Sequence, residues 1–82
     1  MNATQIRQLL LDALTEIAPE IDAPKIEADK SLRDQVDLDS ADWLNFLIEI
    51  KLKLGIEIPD AQASKLATLE QLEAYCASHS RG

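Results

Sequence analysis

The sequence predicts an all-α fold: a small bundle of three main helices plus one short helix, with a long loop between helices one and two. Three observations carry this. The first seventeen residues hold a clean helical period, helix-capping patterns stand before two later apolar stretches, and the one strand-like stretch has no partner to pair with. With 82 residues, 46% of them apolar, the chain is expected to form a single domain over residues 1–82, not a disordered tail. A chain this short buries only roughly 60–65% of its unfolded surface, so it is suited to presenting a surface or a ligand, not to enclosing a deep active site.

Ile6, Leu9, Leu10, Ala13, Leu14 and Ile17 follow i, i+3, i+4, i+7, i+8 and i+11, the pattern of a one-faced amphipathic helix over about residues 3–18. Asn2 and Gln5 have the spacing of a capping box at its start, and Pro19 ends it. From Pro19 to Asp39 no period is sustained. Structureless loops this long are uncommon in compact domains. Ile21, Ile26, Leu32, Val36 and Leu38 are spaced as isolated anchors, which favours an ordered loop pinned across a helical core.

Residues 40–54 send two messages. Ile48 to Ile58 alternates apolar and polar residues apart from Gly55, as a strand would. Read as a helix, Trp43, Leu44, Leu47, Ile50 and Leu54 form one face, and Asp42, Asn45, Glu49 and Lys53 the opposite stripe. Lys51 then falls on the apolar side, where its stem would have to snorkel. The helix is preferred because a lone strand is not stable. Asp39 also makes a good N-cap, Asp42 suits the third helical position, and Gly55 is a good stop. Ile56 to Pro59 is a short extended link, and Asp60 is placed to cap a brief helix through Lys65 or Leu66. Thr68-Leu-Glu-Gln71 is a capping box opening a last helix, with Leu69, Leu72, Tyr75 and Cys76 facing inward and Ser78 to Gly82 fraying.

Charge narrows the function. Eight bases against fifteen acids give −7, and all of that excess lies in residues 12–42, which hold ten acids and three bases. Nucleic acid and anionic membrane surfaces are therefore poor partners, since both demand Lys and Arg. An acidic stretch of this kind is either a solvated face or a surface that steers basic partners by long-range attraction. The single cysteine, Cys76, excludes an internal disulfide framework. Residues 1–5 carry neither a basic region nor a long apolar run, and no segment approaches a membrane span. A soluble, cytoplasmic, monomeric protein without membrane insertion is expected.

Enzymatic chemistry finds little support. The only histidine, His79, sits near the chain end, where it cannot be held against Ser40, and no glycine-rich oxyanion turn exists. Cys76 reads as a core thiol, without the electropositive neighbours of a reactive one. Asp37-x-Asp39 begins like a calcium loop, but Ala41, Asp42 and Ile48 stand where that loop needs a ligand, a glycine and a glutamate. No catalytic and no metal-ligating residues are expected.

What remains is Asp37-Leu-Asp-Ser40-Ala-Asp42. With Asp39 acting as the cap, the Ser40 hydroxyl is left free in the first helical turn, exposed to an incoming enzyme. A phosphodiester formed on it would sit at the positive end of the helix, ringed by three aspartates that attract Lys or Arg of a partner.

These residues resemble the acyl carrier proteins, whose hallmark is Asp-Ser-Leu at the start of the second helix; Leu38-Asp39-Ser40-Ala41-Asp42 is similar to it. The likeness covers nearly the whole chain. It includes the first amphipathic helix, the long loop with Ser31-Leu32, Glu57-Ile-Pro-Asp60 before a short helix, and Thr68 at the last one. The resemblance implies that Ser40 is the covalent attachment point of 4′-phosphopantetheine, donated from coenzyme A by a separate phosphopantetheinyl transferase. It implies a non-catalytic carrier of acyl thioesters, for fatty-acid, specialised lipid or polyketide-type biosynthesis, handled by acyl-transferring and acyl-modifying enzymes. The partner-binding surface is expected at Asp37, Asp39, Ala41, Asp42, Asn45 and Ile48. A peptidyl or aminoacyl carrier is the nearest alternative, although Leu38-Asp39 stands where such proteins commonly have glycines. An unmodified acidic helical adaptor is another.

The chain also departs from the family. Ala41 replaces the leucine after the serine, and Asn45, Lys51, Leu52 and Lys53 stand where glutamates are typical. Trp43 and Phe46 add aromatic bulk that either fills the core or tunes docking towards a dedicated partner set.

Overall fold

The computed structural model describes residues 2–79. Among these residues five α-helices follow one another: α1 (Ala3–Ile17), α2 (Leu32–Gln35), α3 (Ser40–Leu54), α4 (Asp60–Ala63) and α5 (Leu69–His79), with a 3₁₀ turn at Ala23–Lys25. Among the described residues there is no strand, only an isolated bridge between Ser31 and Thr68.

Each long helix begins on a local code. Asn2 caps α1 by accepting from the Gln5 N–H at 2.8 Å, and the Gln5 side chain accepts from the Asn2 N–H at 3.0 Å. Thr68 and Gln71 exchange the same pair of bonds, each at 3.1 Å, at the start of α5. Gly55 ends α3 with φ +71°, a left-handed geometry that glycine adopts without strain. Pro59, not Asp60, precedes α4; Asp60 is its first residue and supplies no side-chain cap. The helical turn nevertheless runs on to Leu66 through i+3 backbone bonds.

α1 packs against α3 and α5, and their shared interior is almost wholly aliphatic. Ile6, Leu10 and Leu14 of α1, Phe46 and Ile50 of α3, and Leu72 and Cys76 of α5 are sealed from solvent. Arg7 and Glu73 clamp the rim between α1 and α5 as a bidentate pair.

The long loop is ordered by two devices. Leu32, Val36 and Leu38 drop into the core, with Ile21 and Ile26 half-buried beside it. Gln35 then ties the loop to itself. Its Oε1 accepts from the Glu27 N–H at 2.6 Å, and its Nε2 donates to the carbonyls of Glu27 and Lys30 at 2.8 and 3.0 Å. Backbone bonds from Leu32 to Ala67 and from Glu70 to Ala28, both 2.9 Å, fasten the loop to the start of α5.

Three expectations for the helices need correction. Leu44 was expected on the buried face of α3 but is 52% exposed, while Phe46 is fully buried. Phe46 lies between Trp43 and Ile50 on the helix surface, so burying its ring centres the core face on Trp43, Phe46, Leu47, Ile50 and Leu54. That rotation carries Leu44 to the rim. It also leaves Lys51 in solvent, 3.8 Å from Glu57, not snorkelling over apolar surface. The expected fraying of Ser78 to Gly82 fails for its first two residues, because α5 continues through His79, whose ring stacks on Tyr75 at 4.0 Å. Residues 80–82 lie outside the described residues.

Candidate functional site

The site is built at the junction of the long loop and α3. Leu38 is buried and anchors the loop end, and the next residue, Asp39, caps the helix. Its carboxylate accepts from the Asp42 N–H at 2.8 Å, and the Asp42 carboxylate accepts from the Asp39 N–H at 3.5 Å. Both carboxylates thus sit where the unpaired amides of the first turn hold negative charge.

Ser40 is the first residue of α3 and is exposed. Because Asp39 does the capping, the Ser40 hydroxyl makes no hydrogen bond among the described residues. Asp37, Asp39 and Ala41 are exposed around it and Asp42 is half-buried. None of the three aspartates pairs with a cation among the described residues, so their charge is directed outward.

Ser40 also heads a row. Leu44, Ile48 and Leu52 follow it at i+4, i+8 and i+12, and these three are exposed by 52%, 54% and 72%. From the sequence, Ile48 is expected on the partner-binding surface, Leu44 on the buried face, and Leu52 stands out only as a residue where glutamate is typical. Asn45 is exposed beside it. The row ends among lysines: Lys51 near Glu57, and Lys53 4.0 Å from Glu16. Along one helix, then, acid gives way to an apolar strip and the strip to base.

The aromatic pair does not join this surface. Trp43 and Phe46 are both buried, with ring centroids 5.4 Å apart and planes tilted by 56°, so they belong to the core. The other candidate groups are equally removed from chemistry. Cys76 is buried, and desolvation pushes its thiol up to about 11, which keeps it protonated and inert. Among the described residues no three His, Cys, Asp or Glu side chains gather into a group able to hold a metal, and no helix is long and apolar enough to cross a membrane.

The site defines a class of protein, a small helical bundle that presents an exposed serine, unbonded among the described residues, at a helix start ringed by acids. Comparison with known proteins gives this class its family. A family described as "Phosphopantetheine attachment site" matches residues 4–76. The acyl carrier protein of Rubrobacter xylanophilus is 29% identical over 76 residues, covering 89% of this chain and 94% of its own. Those of Thermobifida fusca and Lactobacillus johnsonii are 35% and 36% identical over 69 and 59 residues, covering 80% and 72% of this chain and 87% and 74% of their own. The chain belongs to the acyl carrier protein family, whose members carry a phosphopantetheine attachment site.

Proposed function

We propose that this protein carries acyl intermediates on a 4′-phosphopantetheine arm attached to Ser40, as one cytoplasmic, monomeric carrier domain over residues 1–82. The observation that carries the reading is Ser40, exposed in the first turn of α3 with its hydroxyl unbonded among the described residues. The local residues fit the group. The first-turn amides suit a phosphodiester, and nothing on the Ser40 side chain has to be displaced to form one. When bound, the arm supplies a terminal thiol on which acyl groups ride as thioesters. The chain's own residues address it: Asp37, Asp39 and Asp42 draw a basic partner surface towards Ser40, and Leu44, Ile48 and Leu52 give that surface an apolar strip to cover. Ala41 and Asn45 complete the contact face.

The neutral balance of α3, with Asp42 and Glu49 against Lys51 and Lys53, supports a dedicated partner set within lipid or secondary-metabolite synthesis. A transferase and the acyl-handling enzymes that recognise this face are its partners. Ordinary docking to a general ketoacyl synthase would remove the case for a dedicated set.

Intact mass decides the attachment. Incubation with coenzyme A and a broad-specificity phosphopantetheinyl transferase is expected to add one arm, and Ser40→Ala to add none. No gain in the wild-type mass would make the protein an unmodified adaptor.

A further inference from the structure

A cleft of about 320 Å³ lies between α3 and α4 with the turn that follows α4, walled by Trp43, Leu44 and Leu47 on one side and Ala63, Leu66 and Ala67 on the other. It begins within a turn of the attachment point, because Trp43 and Leu44 stand three and four positions beyond Ser40 on the same helix. Three polar side chains reach its lining: Arg33, Asp60 and Ser64. The Ser64 hydroxyl is already committed, donating to the Ala61 carbonyl at 3.1 Å. Asp60 belongs to the first turn of α4.

Arg33 is not committed. Its guanidinium lies over the Trp43 ring, 5.9 Å from the centroid, and it makes no ion pair or hydrogen bond among the described residues. This is unexpected in a stretch so rich in carboxylates, where its two fellow bases both pair: Lys25 with Asp22 at 3.7 Å and Lys30 with Glu27 at 3.5 Å. A guanidinium held over an indole by cation–π attraction keeps its N–H groups free, in the fork geometry that matches a carboxylate.

Resting on the carrier reading above, we propose that this cleft takes an acyl group ending in a carboxylate, whose methylenes cover Leu44, Leu47 and Leu66 while Arg33 pairs with its terminus. A neutral acyl chain covers the same apolar wall but leaves the guanidinium without a partner. Asp60 repels a second negative charge, so the anionic end lies on the Arg33 side. The arm's own phosphodiester is the other anion within this chemistry, and the experiment separates the two.

The protein is loaded by a broad-specificity transferase from coenzyme A, from hexanoyl-coenzyme A, or from adipoyl-coenzyme A carrying carbon-13 in its terminal carboxyl. Intact mass verifies each form. The titration midpoint of the labelled carboxyl, read by NMR, is expected to lie about half a pH unit lower in the wild type than in Arg33→Gln. Arg33→Lys recovers part of the shift, and Lys30→Gln, which removes an equal charge nearby, leaves it unchanged. The Trp43 indole resonance moves further in the adipoyl form than in the hexanoyl form, and Arg33→Gln abolishes the difference. Equal midpoints in wild type and Arg33→Gln would overturn the proposal. So would a phosphorus-31 shift of the unacylated arm that responds to Arg33→Gln while the labelled carboxyl does not, because the anion is then the arm's. Failure to gain mass at all refutes the carrier reading and this inference with it, whereas loading with an indifferent carboxyl refutes only the inference.

Discussion

Asp39 and Ser40 divide two tasks that one residue often performs. A serine at a helix start commonly spends its hydroxyl on the cap; here the preceding carboxylate holds the Asp42 amide at 2.8 Å and the hydroxyl is released. The two side chains should therefore part company under mutation. Asp39→Ala is expected to lower thermal stability by about 1 kcal/mol through the lost cap. Ser40→Ala should change it by less than about 0.5 kcal/mol, since that side chain is exposed and makes no hydrogen bond among the described residues. Paired melts followed by circular dichroism check both. This part of the site was legible in the sequence because a capping box is a code of neighbours, readable from residues three apart. The placement of Arg33 over Trp43 was not, because it joins a loop to a helix and leaves no trace in spacing.

At the scale of the element, α3 serves two masters. Its inner face fills the bundle and its outer row presents Leu44, Ile48 and Leu52 to solvent. Phe46→Ala, which empties a fully buried site, should cost about 3–5 kcal/mol in a denaturant melt. Leu52→Glu should leave the midpoint within about 0.5 kcal/mol while weakening capture by partner enzymes, read by surface-bound association. Equal loss of stability in the two would mean that the outer row is structural. The helix was legible from its cap and its stop; its exact rotation was not. Four of the five buried positions were identified, but Leu44 and Phe46 lie at opposite edges of the apolar arc, and only tertiary packing, chiefly against α1, decides which edge is inside. The loop shows the same division. Its anchors Leu32, Val36 and Leu38 stood out as apolar residues in a polar run, whereas the Gln35 clamp uses a residue type that carries no positional signature.

Across the whole molecule, charge is segregated rather than merely abundant. Lys25 and Lys30 pair within the acidic loop, Lys51 and Lys53 lie at the far end of α3, and the aspartates about Ser40 stay without cations among the described residues. Association with a basic transferase should therefore be steered: Asp42→Lys is expected to slow arm addition, and rising salt should narrow the gap between variant and wild type. Stopped-flow or discontinuous mass assays at two ionic strengths test this. Titration also reaches the fold through Cys76, whose thiol is raised from 9.0 to about 11 by burial. The folded state holds that proton more tightly than the unfolded chain does, so its stabilising contribution is complete below pH 9. It is lost as pH rises from there towards 11. Alkaline melts of wild type and Cys76→Ala should converge over that window.

The sealing of Cys76 has a practical side. Folded protein without an arm should be silent to a maleimide near neutral pH, because its one thiol is neither ionised nor reachable. Any sulfhydryl installed at the surface then announces itself against a blank background. A colorimetric thiol assay on the purified, intact protein thus counts carriers whose arm ends in a free sulfhydryl, and a maleimide dye given to a separate sample lands on that end alone.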